Sequence, residues 1–342
     1  MKRIDYDTAV RDQPANLERA RRSIVEALAD ATIEPWRAGD TVAVVAMGAS
    51  SHAAHALVFA LAASGMRAVA LTASDASFYP AGAQSADHYV IISESGRSPE
   101  PITAARGFTP GRRIGITNVP DSPLTAVVDV AITFGDLDDS GVYTVGYTST
   151  LLAAALLCEH MLGMPVGDAE GIPTRVAATL AQFAAAAELA SERLATAQTV
   201  DFVGRGMSLA AASEGALMFR EALAVPTAAF DTYQYLHGPM EPLREHSGLV
   251  VFGDDRELSL VDSVLDSGVQ VCLVTQRPLA ELARPAHENL VAIALPADAT
   301  GFERAILEVL VPQLIVGYSA ARSGRRPGEF TYRQPDTKLP LT

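Results

Sequence analysis

Three serines and a glycine fall within six residues at Ser93-Glu94-Ser95-Gly96-Arg97-Ser98, and Pro99-Glu100 follows directly. Hydroxyls at that density can hydrogen-bond an oxyanion. Proline followed by a carboxylate suits the first turn of a helix, where no N–H is needed and the dipole favours negative charge. The residues just before, Tyr89-Val90-Ile91-Ile92, form a short β-branched run of the kind buried in a parallel sheet. Strand, hydroxyl-rich turn and helix N-terminus in that order make an anion cradle, with free backbone N–H groups and serine hydroxyls as donors. The natural guest is a phosphate. The same composition also describes an ordinary serine-glycine turn with a capped helix, so the surrounding elements must decide.

Those elements recur along the chain. A helix opened by Gln13-Pro14 comes first, with Leu17, Ile24, Val25 and Leu28 as its apolar stripe. Residues 41–46, Thr-Val-Ala-Val-Val-Ala, predict a buried strand running into Met47-Gly48-Ala49-Ser50-Ser51-His52 and an alanine-rich helix. Further strands are expected at 68–72, 89–92, 113–117 and 128–134, and Gly141-Val142-Tyr143-Thr144 leads into a helix reaching about Met161. Alternating strands and helices argue for a doubly wound, mostly parallel sheet. Ligands of such sheets sit outside the carboxyl ends of the strands, where Ser50 and Ser93 to Ser98 fall. A polar, alanine-rich helix from Pro173 to about Ala197 reads as a connector. The pattern then restarts. Gly204-Arg205-Gly206-Met207-Ser208 after a strand at 200–203 echoes the first glycine-serine turn, and strands at 249–252, 269–275 and 290–295 and a helix at 303–318 follow. The expected architecture is α/β: two tandem doubly wound parallel-sheet domains, each a flavodoxin-like three-layer α/β/α unit. The boundaries read as a helical segment 1–38, a first domain 39–165, a connecting helix 166–198, a second domain 199–320 and a tail 321–342.

Bulk properties narrow the function. With 342 residues, 49% of them apolar, the chain is globular rather than disordered. Its net charge of −14 argues against a nucleic-acid or acidic-membrane partner, but not against a small anion that needs only local donors. Cys158 and Cys272 sit in apolar stretches without metal-ligand spacing, so they read as core residues of a reduced, cytoplasmic protein with no metal. The polar start does not resemble a signal peptide. The alanine/leucine runs at 53–64 and 148–158 look too short to span a bilayer. Lys2 and Lys338 are the only lysines; arginine is used everywhere else.

Taken in order, the motifs resemble the two-domain sugar isomerase (SIS) family: the isomerase half of glucosamine-6-phosphate synthase and stand-alone sugar-phosphate deaminases and isomerases. The carriers are Gln13-Pro14, Gly48-Ala49-Ser50, Ser93-Glu94-Ser95-Gly96, Thr117-Asn118-Val119-Pro120, Gly141-Val142-Tyr143-Thr144 and Gly204-Arg205-Gly206. Glu214-Gly215-Ala216-Leu217 with Glu221, His237-Gly238-Pro239 and a tail Pro-x-x-Lys complete the set. The resemblance implies two SIS-type domains, a homodimer with shared active sites, a sugar-phosphate ligand and no cofactor. It places the phosphate at Ser50, Ser93, Ser95 and Ser98, with Gly48, Glu94, Val142 and Thr144 against the sugar. Glu221 falls where the family moves a proton between C1 and C2. His237 falls on the ring-opening histidine supplied across the dimer interface, and Lys338 on the tail lysine that meets the open-chain carbonyl.

Each role is chemically sensible. A carboxylate half-buried on a helix can serve as the base for two adjacent carbons. Histidine can shuttle the ring-opening proton, and lysine, unlike arginine, can deprotonate and attack a carbonyl. Each also has a plain reading: a solvated carboxylate beside Arg220, a loop histidine before a Gly-Pro turn, an unremarkable tail lysine. Two departures stand out. Met218 replaces a lysine of the synthase, and Ala49 replaces a hydroxyl donor. With no glutaminase domain or N-terminal cysteine, a glutamine-using synthase is not expected. The expected activity is that of an amino sugar phosphate deaminase or isomerase acting on a hexose or hexosamine 6-phosphate by ring opening, C1–C2 proton transfer and amine release. An aldose–ketose isomerase, a fructosamine 6-phosphate deglycase and a non-catalytic phosphosugar sensor are the alternatives.

Overall fold

Two all-parallel, five-stranded sheets organise the chain in a computed structural model that describes residues 2–80, 82, 84–163, 169–332 and 334–340. Helices α1 (Tyr6–Arg11) and α2 (Gln13–Asp30) lead into β1 (Thr41–Ala46), α3 (Ala49–Ala63), β2 (Arg67–Thr72) and the single turn α4 (Ala73–Ala76). Then come β3 (His88–Ile92), α5 (Pro99–Gly107), β4 (Arg113–Thr117), β5 (Val130–Thr133) and α6 (Val145–Leu162). After α7 (Ile172–Leu194), the second half contains β6 (Thr199–Gly204), α8 (Ser208–Met218), β7 (Thr227–Asp231) and α9 (Thr232–Leu236). It continues through β8 (Ser247–Phe252), α10 (Arg256–Val264), β9 (Gln270–Thr275), β10 (Leu290–Ala294) and α11 (Gly301–Ser323). The strand orders are β2-β1-β3-β4-β5 and β7-β6-β8-β9-β10. Counted within each half, both are 2-1-3-4-5, so the halves share one topology, that of the flavodoxin-like sheet.

Alternation along the inner strands explains why both faces are covered. Val42 and Val44 of β1 enter a core that also takes Phe202 and Val250 from the second sheet, while Ala43 and Val45 face a separate cluster with Tyr89, Ile91 and Phe108. A third cluster, with Val203, Leu249 and Val251, covers the outer face of the second sheet. The middle core is continuous between the halves: α3, α6, α8 and α11 contribute to it. The sheets therefore do not have separate interiors; they sandwich one.

Three sequence expectations change. β7 was not foreseen, since Thr-Ala-Ala-Phe-Asp is short, weakly apolar and half-exposed at a sheet edge. The 148–158 run belongs to an 18-residue helix, so α6, like α11, is long and apolar enough to cross a membrane; most of each is instead buried in the fold. The short helix α1, capped by Asp5, precedes the one that was predicted. The expected boundary at 165–166 lies outside the described residues. Cys158 and Cys272 are buried and unpaired, and burial pushes both thiols up to about 12.

Candidate active site

β1 and β3 are neighbours from which the sheet order runs outward in opposite directions, so the loops leaving their carboxyl ends open a crevice. The β1 loop turns at Gly48, whose φ of 55° favours glycine, and α3 begins at Ala49. The β3 loop turns at Gly96, where φ is 61° and an added Cβ would lie 2.1 Å from Ser122 Oγ, so no larger residue fits. Two helix N-termini, those of α3 and α5, thus border one cavity of about 440 Å³. Ser50, Ser93, Ser95 and Ser98 all line it. Ser98 is the N-cap of α5 yet makes no side-chain cap bond, so its hydroxyl faces the cavity chemistry instead. Ser93 Oγ is buried and has no partner among the described residues, which suits a hydroxyl waiting for a ligand oxygen.

The opposite wall comes from the second half. α8 brings Glu214 and Leu217 to the cavity, then widens into a π turn, Phe219–Leu223, that carries Glu221 to the same space. The turn ends on Ala224 with φ 55°, a left-handed alanine that costs roughly 1–3 kcal/mol. Backbone of both kinds is unusual and tends to occur where a side chain must be aimed. Glu221 is open to solvent at the cavity mouth, but the concave walls strip much of its water. That desolvation, together with Glu214, pushes its carboxyl up to about 7, while His52, Arg3 and Lys338 pull it down. Glu214 is 2% exposed and is met by His52 Nδ1 at 2.9 Å, a contact from α3 across to α8.

The tail closes the cavity. Residues Gly141 and Gly328 cross backbone to backbone, where a Cβ on either would collide with the other. Further along, Leu339 N donates to Arg97 O at 2.8 Å and Arg97 Nε donates to Leu339 O. Between these anchors Phe330, Thr337 and Lys338 line the cavity. The Lys338 ammonium donates to Ser95 Oγ and Ser98 Oγ, both at 3.0 Å, so it occupies the serine cradle. Burial lowers its pKa.

Eight of the expected residues therefore meet: Gly48, Ser50, Ser93, Glu94, Ser95, Ser98, Glu221 and Lys338. Three do not. Val142 is buried behind the wall, and Thr144 is buried with its hydroxyl donating to Asp139 Oδ1 at 2.6 Å; Tyr143 between them is the one that faces the cavity. His237 is exposed after α9 and does not line the cavity of its own chain. Met218 is fully buried in the core, away from the lining. Sequence reasoning missed Arg3, Tyr143 and His52, whose partners lie far away along the chain, and Asp139, whose carboxylate holds the nearby Ser140, Thr144 and Gly146. A larger hollow of about 590 Å³, between the N-terminal segment and the tail, shares Arg3, Gly141 and Phe330 with the site but none of the serines.

Comparison with known proteins agrees with this fold. The SIS domain family matches residues 193–323. The chain is 25% identical over 307 residues to glutamine–fructose-6-phosphate aminotransferase (isomerizing) of Sulfolobus acidocaldarius, covering 88% of this chain and 50% of that protein. The chain spans about half the length of the curated relatives it matches. Among solved structures, the C-terminal domain of glucosamine-fructose-6-phosphate aminotransferase from Francisella tularensis superimposes with a TM-score of 0.79 at 18% identity, covering 94% of this chain and 97% of that one. Glucosamine-6-phosphate deaminase from Thermotoga maritima gives 0.76 at 18% identity, covering 96% and 98%.

Proposed function

We propose that this chain, whose residues 193–323 form an SIS domain, is an enzyme acting on a hexose or hexosamine 6-phosphate, with an amino sugar phosphate deaminase/isomerase activity. The observation that carries the reading is the meeting of two unlike walls in one cavity. Four serines at two helix N-termini face a carboxylate pushed to about 7 on a π turn. The serine end suits the phosphate, with hydroxyl and N–H donors aimed at its oxygens. Glu221 suits the C1–C2 proton transfer, because a base titrating near neutrality both takes and returns a proton. His237 acts in ring opening from a second subunit of a homodimer, since it lies outside the cavity of its own chain. No cofactor is required for these steps.

A second reading, a plain aldose–ketose isomerase, is favoured by Lys338. Its ammonium lies on Ser95 and Ser98, where it serves as counter-charge to a phosphate rather than as the amine that attacks a carbonyl. Ammonia release and ketose formation, assayed over a panel of hexose and hexosamine 6-phosphates, separate the two readings. Binding of the whole panel without turnover or solvent-deuterium exchange would leave only a phosphosugar sensor.

A further inference from the structure

Glu94, like Glu214, is a buried carboxyl group of the cavity that the steps above leave without a task. Its placement is over-determined. The main-chain carbonyl accepts from Asn118 N at 2.8 Å and from Thr117 Oγ1 at 3.1 Å, and Asn118 Nδ2 donates to Oε1 at 3.1 Å. Gly146 makes room: a Cβ there would stand 2.9 Å from Glu94 Oε1 and 3.0 Å from Asp139 Oδ2. The side chain is 5% exposed, yet Oε2 has no hydrogen-bond partner among the described residues, and Glu94 lines the cavity beside the serines. With Asn118 on Oε1 and the Tyr143 hydroxyl near enough to act on the carboxyl, Oε2 is the oxygen left for a ligand.

The groups around it set its resting state. Burial and the neighbouring Asp139 push Glu94 up to about 7, against the pull of Tyr143, Asn118 and Lys338. Asp139 itself is wholly buried and held by Thr144, Gly146 and Ser140, and Arg3 stands over the Tyr143 ring. The cavity thus contains two carboxyl groups titrating near neutrality, Glu94 on the first half and Glu221 on the second. Such pairs divide acid and base roles.

We propose that Glu94 is a second catalytic residue, delivering the proton from Oε2 to the ring oxygen of the bound sugar. The inference rests on the phosphosugar reading of the cavity. As the bond between the anomeric carbon and the ring oxygen breaks, its electron pair goes to the ring oxygen, which takes the Glu94 proton. The anomeric hydroxyl gives its proton to His237 of the second subunit and becomes the carbonyl. Glu94 is left as a carboxylate and His237 as an imidazolium; ring closure of the product returns both protons. Glu221 stays free for the C1–C2 step.

The test uses Glu94→Gln, which retains an oxygen for Asn118 and removes the acid. Exchange of solvent deuterium into C1 is followed with two probes: fructose 6-phosphate, which is mostly cyclic, and 5-deoxyfructose 6-phosphate, which cannot close a ring. The variant should lose about 10²-fold or more on fructose 6-phosphate and stay within about threefold of wild type on the open-chain analogue. Equal losses on both probes, or none on the first, would overturn the acid role. Infrared difference spectra of wild type minus Glu94→Gln, in the absence of sugar at pH 6, should show a neutral carboxyl band; an ionised Glu94 there overturns the role even if turnover is normal. A wild type that exchanges deuterium into neither probe, with the carboxyl band present, removes the enzyme reading and this step with it.

Discussion

The two halves wind their strands in the same order, yet the equivalent crevices are furnished in opposite ways. At the carboxyl ends of β1 and β3, hydroxyls are left without a full set of partners and border an open cavity. At the matching ends of β6 and β8, most polar groups are tied to one another, with Glu257 Oε1 and Glu308 Oε2 the buried exceptions among the described residues. Asp254 accepts from Gln276 N at 2.7 Å, from Thr275 Oγ1 at 2.9 Å and from Arg304, which also donates to Glu308 Oε1 at 2.7 Å. Ser208 donates to that same Glu308 oxygen at 2.8 Å. The position that frees Ser50 for the cavity in one half ties Ser208 into a network in the other. A duplicated fold supplies two places for a ligand, and side chains decide which stays open. The second half then contributes through a different feature, the π turn of α8, and so presents a base where the first half presents donors.

Four experiments break or sharpen this division. The largest effect is expected at the base: Glu221→Gln should leave sugar-phosphate binding intact while the rate falls by about 10²–10⁴, read as loss of deuterium exchange next to the carbonyl. Next, Arg304→Met should destabilise the fold by about 3–5 kcal/mol, because Glu308 is fully buried and loses its cation. Urea unfolding measures this, and sugar-phosphate affinity of the folded variant should not change. If affinity fell as well, the second crevice would be part of the site. Third, Ser93→Ala and Ser95→Ala should each weaken sugar-phosphate binding by about 1.5–3 kcal/mol, as for hydrogen bonds to a charged group. Calorimetry that found no loss would move the phosphate elsewhere. Last, the carboxylate form of Glu221 is the active one and its carboxyl is pushed up to about 7, so exchange on the open-chain analogue, which does not need the Glu94 proton, should fall as pH drops through 7, to about a tenth by pH 6. A flat rate from pH 8 to 6 would remove Glu221 from the base role.

What could be read from sequence follows from how local each feature is. The inner strands β1, β3, β8 and β9 were legible because they are buried on both faces and run as apolar, β-branched stretches, whereas β7 is a half-exposed, alanine-containing edge. The cradle was legible for a similar reason: its serines sit within one turn, and glycine and proline punctuate it. Glu221 was found, but not the π turn that aims it, since widening a helix by one residue leaves no signature in composition. The Gly141-Val142-Tyr143-Thr144 motif was placed on the site with the wrong members. Asp139 takes Thr144 inward as it holds the start of α6, and the tyrosine takes the cavity side. His52 and Glu214 are separated by 162 residues, and only the folded contact joins them.

The core shared by the two sheets also bears on how anything enters or leaves. Domains that close by hinge need an interface that can part, and here α3, α6, α8 and α11 are bedded in the same interior. Separating the halves would expose the largest apolar cluster of the molecule, so that motion belongs to unfolding rather than to a catalytic cycle. The tail is tethered differently: Leu339 is fastened to Arg97 by one main-chain hydrogen bond and one from the Arg97 side chain, and Phe330 rests only partly buried against the core. Releasing the first of these tethers uncovers the serine end without disturbing either sheet. The element whose release would open the site is therefore a strap held by a few hydrogen bonds, and not a domain.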